Sequence, residues 1–338
     1  MAQDINERVN ARTEEKIPLV YILAASHSGS TLLAMLLNSH PEVVSVGELK
    51  ATSLGDVDRY RCSCQKLIKE CPFWLGISKD MADRGFDFKI WDAGTDVRSG
   101  ASDYIKRLLR PLHRGRVLEL CRDAALGLSS VWRQHLAKVQ ARNAALMECI
   151  LKRAGRKVIV DSSKIGIRLK YLLKDWNLDI RSLHLVRDGR AVAMTYTDPA
   201  RFADAKDPRL RGGGWGGTWE SERRSIKEAA YEWLRSNEEA EEIVSNIKEP
   251  LWLRISYEDL CANTQAALAK MFQFIGVEAR SKPLDFRGVP NHIIGNGMRL
   301  DSSSEISLDD RWRRELPGSY LKAFDAIAGD MNRRLGYE

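Results

Sequence analysis

Four short, almost unbroken apolar runs constrain this chain more than any other feature. They are "PLVYILAAS" (18–26), "RKVIVDSSK" (156–164), "IRSLHLVRD" (180–188) and "LWLRISYEDL" (251–260). Apolar runs of this length suit strands buried on both faces, as in a parallel sheet. Helical stretches follow them: "STLLAMLLNSH", "IRLKYLLKDW", "GRAVAMTYT" and "TQAALAKMFQFIGV". Two longer helices are expected. One is "SSVWRQHLAKVQARNAALMECILKRAG", with Ser129 or Ser130 as cap and Gly155 as stop. The other is "WESERRSIKEAAYEWLRSNEEAEEIVSNIK". Alternating strands and helices predict an α/β fold, three-layered, with a mostly parallel central sheet and helices on both faces. The reading is one domain over 18–338, with a helical insertion at about 75–155 and a polar N-terminal arm over 1–17.

The chain has 338 residues, enough to bury a substantial core. No run approaches the ~18–20 apolar residues of a membrane span. The polar start "MAQDINERVNARTEEKIP" has no signal-peptide core, so a cytoplasmic protein is expected. The formal charge is +7, from 53 basic and 46 acidic residues. That excess suits an anionic small molecule better than a nucleic-acid backbone, and no nucleic-acid motif is present. Cys62, Cys64 and Cys71 cluster in "RCSCQKLIKECPFW". They read either as a partial thiolate metal site, with no fourth ligand evident, or as reduced thiols packing a loop.

The first strand carries the chemistry. In "VYILAASHSGSTLLAMLLNSHP" a strand, a tight turn and a helix make an anion site: free N–H groups and the positive end of the helix dipole face one point. Gly29 lets the backbone approach a ligand, and Ser28, Ser30 and Thr31 add hydroxyls. Aligned with the G-x-x-x-x-G-K-[ST] loop of ATP-binding proteins, Ala24 takes the first glycine and Ser30 takes the lysine. The loop therefore fits a phosphate-like group without the grip used on a magnesium triphosphate.

"SHSGSTLLAMLLNSHP" resembles the 5′-phosphosulfate loop of the sulfotransferases that use 3′-phosphoadenosine 5′-phosphosulfate (PAPS), where His27 stands at the usual Lys or Arg. "VRDGRAVAMT" resembles the same family's 3′-phosphate signature, with Arg187 followed by Thr195 eight residues on. "VIVDSSK" resembles the segment of the bacterial and tyrosylprotein-type branch that brings a lysine, here Lys164, to the sulfonyl group. "HIIGNGMR" and "DDRW" resemble the segment that closes over the nucleotide with a basic residue, here Arg299. The resemblance spans about 18–315 and weakens over 50–150 and 198–225.

The resemblance implies a P-loop NTPase-like fold and sulfonyl transfer from PAPS to a hydroxyl acceptor, with no metal required. It implies Ser28, Gly29, Ser30, Thr31, Arg187, Thr195 and Arg299 for the co-substrate, and His27 and Lys164 at the leaving group. His27 would serve there as a cation if protonated, or as a hydrogen-bond donor beside Lys164. Glu48, after Gly47, is the expected base, with His40 the rival. Trp312 covers the adenine or fills core space. "RFADAKDPRLRGGGWGGTWESERR", with five glycines in six positions, reads as a lid over the acceptor or as a long surface loop. The alternatives are a nucleotide or small-molecule kinase and a nucleotide-binding module without turnover.

Overall fold

The computed structural model describes residues 16–50, 54–110, 115–211, 219–278 and 285–338. Five strands form one parallel sheet: β1 (Ile17–Ala24), β2 (Val43–Ser45), β3 (Val158–Lys164), β4 (Leu178–Val186) and β5 (Trp252–Ser256). Their order is β2-β3-β1-β4-β5. β1 is central, with Leu19 opposite Ile159 of β3 and Ile180 of β4. Its side chains alternate between two cores. Leu19, Tyr21 and Leu23 pack on one face, and Val20, Ile22 and Ala24 on the other. That is the three-layer α/β arrangement expected from the apolar runs. β2 adds a strand to the four read from sequence; at three residues it is too short to announce itself.

The helices are α1 (Ser30–Asn38), α2 (Pro72–Ala82), α3 (Asp103–Leu108), α4 (Arg116–Leu128), α5 (Ser130–Ala154), α6 (Gly166–Leu172), α7 (Gly189–Thr197), α8 (Pro199–Phe202), α9 (Ile226–Val244), α10 (Tyr257–Ala262), α11 (Thr264–Ile275), α12 (Trp312–Glu315) and α13 (Gly318–Arg334). The Ser129 hydroxyl caps α5 and left-handed Gly155 ends it, as expected. α9 starts later than the charged pattern implied. Ser225 and Glu228 form a reciprocal capping box there, which leaves Trp219–Glu222 as a separate turn.

One buried polar network spans the sheet edge. Arg168 donates to Asp161 Oδ2 (2.9 Å), to the Thr95 carbonyl (2.7 Å) and to Asn143 Oδ1 (2.8 Å). Asp161 Oδ1 accepts from the Ser163 N–H (2.9 Å) and the Leu49 N–H (3.3 Å). β4 contributes a second buried polar group, His184, which is fully buried with neither ring nitrogen partnered. Burial, with Arg254 beyond it, pushes its pKa from 6.5 down to about 3.

The native chain thus refuses a proton that the unfolded chain accepts below 6.5. Stability is complete above 6.5 and falls as pH drops from there toward 3. By pH 5 this one group costs up to about 2 kcal/mol. His184→Leu should flatten that part of the urea-denaturation stability curve between pH 7 and 5. An unchanged slope would place the titration elsewhere.

Candidate active site

The chain leaves β1 toward β2 and leaves β4 toward β5. The crevice between β1 and β4 at their carboxyl ends is therefore a topological switch point, where open α/β sheets bind ligands. A cleft of about 680 Å³ lies there. Its floor is the turn after β1. His27 (φ 63°) and Gly29 (φ 92°) are both left-handed, which folds the backbone under the start of α1. A side chain at Gly29 would lie 2.5 Å from the Tyr257 ring, so glycine is needed for space as well as for conformation. Gly29, Ser30 and Thr31 line the cleft at the N-terminus of α1. Ser28 sits beneath them, its buried hydroxyl unpartnered.

From β3 comes Lys164. The pairing with β1 slips between Tyr21 and Leu23, a bulge that re-aims the strand end, and Lys164 is itself left-handed (φ 70°). Its ammonium is bonded to Glu48 Oε1. Glu48 follows left-handed Gly47, where a Cβ would fall 1.9 Å from the Ile294 carbonyl. The expected base and the expected cation are thus one ion pair at the cleft wall. His40 is held elsewhere: Nε2 bonds the Glu278 carbonyl (2.9 Å) and Nδ1 accepts from the Glu42 N–H (3.1 Å). It is not among the cleft residues.

From β4 comes Arg187. It donates to the His27 carbonyl (2.9 Å) and to Asp309, through Oδ2 at 3.2 Å, and lies 4.3 Å over the Tyr257 ring. Its buried Nε has no partner. Asp309 also holds Arg311 (2.6 and 2.9 Å), so one carboxylate bridges two guanidiniums at the cleft. Thr195 on α7 lines the same end, its hydroxyl donating to the Ala191 carbonyl (3.2 Å).

One expectation is corrected, and two open alternatives are decided. Arg299 does not enter the cleft: its donors go to the Arg61 and Gly295 carbonyls and it lies over the Tyr60 ring. Arg311, within "DDRW", is the basic residue of that segment that does. His27 is not a cation here. Burial, with Lys164 and Arg187 close by, pushes its imidazole from 6.5 down to about 3. Trp312 fills core space between Arg190 and Arg313 rather than facing the cleft.

Glu222 was missed. It lines the cleft, where burial raises its carboxyl to about 7 against the pull of Lys164. No spacing in the sequence marks it. Arg201, Phe202, Asp204, Lys206 and Arg224 show that the flanks of the glycine-rich stretch wall the cleft, while 212–218 lie outside the described residues.

No protein-family model matches the chain. It is 23% identical over 333 residues to carbohydrate sulfotransferase 5 of Mus musculus, covering 94% of this chain and 80% of that protein. It is 23% identical over 338 residues to carbohydrate sulfotransferase 6 of Homo sapiens, with the same coverage of 94% and 80%. The crystal structure of sulfotransferase STF9 from Mycobacterium avium shares the fold at a TM-score of 0.50 and 11% identity, over 99% of this chain and 80% of that one. The chain is thus similar to carbohydrate sulfotransferases along nearly its whole length and shares its fold with a solved sulfotransferase.

Proposed function

We infer that the cleft holds PAPS and that the chain moves its sulfonyl group to a hydroxyl acceptor. The observation that carries this reading is a convergence at the ends of three strands. β1 supplies an amide loop without the ATP-binding lysine, β3 supplies Lys164, and β4 supplies Arg187 with an unpartnered N–H. In this reading the α1 amides with Ser30 and Thr31 hold the 5′-phosphosulfate, and Arg187 and Thr195 hold the 3′-phosphate. Arg311 is a second candidate for the 3′-phosphate. Asp309 then occupies, in the free protein, ground that the phosphate takes.

Transfer is in line. The acceptor oxygen bonds to sulfur while the bond from sulfur to the bridging oxygen breaks. The adenosine 3′,5′-bisphosphate leaves with that oxygen and its electron pair. Lys164 meets the charge developing on the leaving oxygen, and its partner Glu48 takes the acceptor proton. Neutral His27 contributes packing and hydrogen bonding. The names of the two relatives make a sugar hydroxyl the acceptor class proposed first. The proposed compartment is the reducing cytoplasm; oxidised, bridged thiols in protein taken from its native source would count against it.

The bisphosphate should raise the melting temperature far more than AMP or ATP with magnesium does. Stabilisation is ~2.7 kcal/mol at a hundredfold excess over Kd. If magnesium ATP stabilised most, the kinase alternative would stand. Arg187→Ala should weaken the bisphosphate on the order of 10–100-fold and leave AMP nearly unchanged. Equal losses for both would make Arg187 structural only.

The base is tested with labelled PAPS and a panel of sugar, phenol and alkanol acceptors. Glu48→Gln should lower turnover by roughly 10²–10⁴-fold without weakening the bisphosphate. Glu222→Gln should be milder. The reverse order would move the base role to Glu222.

A further inference from the structure

The structure supplies the fourth ligand that the cysteine cluster lacked. His292, in the C-terminal segment, brings Nδ1 to 3.4 Å from Cys71 Sγ and 3.8 Å from Cys62 Sγ. Cys64 Sγ lies 3.7 Å from Cys71 Sγ. The four ligand atoms all lie within 4.8 Å of one another. We propose that Cys62, Cys64, Cys71 and His292 form a structural zinc site.

The spacing fits one ion. A tetrahedral zinc at ~2.3 Å from sulfur and ~2.0–2.1 Å from nitrogen sets sulfurs roughly 3.7–3.8 Å apart and sulfur–nitrogen pairs roughly 3.5–3.6 Å apart. The soft thiolate–imidazole set selects zinc over magnesium, calcium or manganese. Four protein ligands close the coordination sphere, which marks a structural and not a catalytic site. None of the four lines the cleft.

The local fold positions the ligands. Cys71 is the residue before the first turn of α2, so its sulfur meets the positive end of that helix. His292 is oriented from behind. Its ring stacks on Phe73 (4.5 Å between centroids, 6° between planes) and its carbonyl accepts from the Trp74 indole (3.2 Å). Left-handed Gln65 and the Cys62 N–H to Lys66 carbonyl bond (3.0 Å) fold the Cys62–Cys64 turn. Binding one Zn²⁺ would release one proton from each of three thiols, and no redox step is involved.

The site would also act on the cleft. His292 leads directly into Ile294, whose N–H bonds the Val46 carbonyl (2.9 Å), and into Gly295, whose N–H bonds the Tyr60 hydroxyl (2.8 Å). Gly295 backs onto Thr31 and Glu48, and Asn296 lines the cleft. The ion would clip the Cys62–Cys71 loop to this segment, more than two hundred residues away in sequence, and so hold the wall behind Glu48.

The test is elemental analysis of untagged, reduced, full-length protein grown with zinc. About one zinc per chain is expected. Cobalt exchanged into it should give the intense visible bands of tetrahedral thiolate ligation. Cys64→Ser and His292→Ala should lose most of the metal and lower the melting temperature, while Cys121→Ser should keep both. The wild-type metal content and cobalt spectrum need no variant to fold. They are also independent of which nucleotide the cleft takes. Metal-free protein with all three thiols freely alkylated, a Cys64–Cys71 disulfide by mass, or bound iron in place of zinc would each overturn the proposal.

Discussion

The pair of Asp161 and Arg168 is the interaction on which the site depends. Both side chains are buried to 1% exposure or less. Charges there are tolerated because each guanidinium nitrogen and each carboxylate oxygen has a partner: Arg168 meets Asp161, Thr95 and Asn143, and Asp161 also meets Ser163 and Leu49. Removing one partner of such a pair typically costs about 3–5 kcal/mol, because it strands the other. The consequence here is positional. Ser163 precedes Lys164 and Leu49 follows Glu48, so one carboxylate grips the backbone beside both members of the cleft's ion pair. The bulge in β3 and the left-handed Lys164 are strained features that this network over-determines.

The charge of the cleft follows from what converges on it. Burial, with Lys164 and Arg187 approaching from the two strands that flank β1, holds His27 neutral. His27 therefore brings no charge to the turn, and the positive charge on that side of the cleft comes from Lys164 at the end of β3. At the other end, the Asp309 carboxylate is gripped by both Arg187 and Arg311.

The sheet was legible because buried parallel strands leave continuous apolar runs, and the phosphate turn because small residues and Gly29 punctuate one of them. β2 was not, since Val43–Ser45 offers three residues and no period. Local patterns name residue types and not directions. Arg299 and Arg311 lie in one tail, and only packing reveals that the first turns back on Arg61 while the second faces the cleft. Glu222 follows a glycine-rich stretch with no motif of its own. His292 meets Cys71 across a sequence separation of 221, beyond the reach of any spacing rule.

The most direct test of the cleft as the PAPS site is a crystal structure with the 3′,5′-bisphosphate bound. The account predicts the 5′-phosphate on the amides of Gly29 to Thr31, and the 3′-phosphate on Arg187 with Asp309 displaced. A nucleotide bound elsewhere, with Asp309 still bridging Arg187 and Arg311, would contradict it.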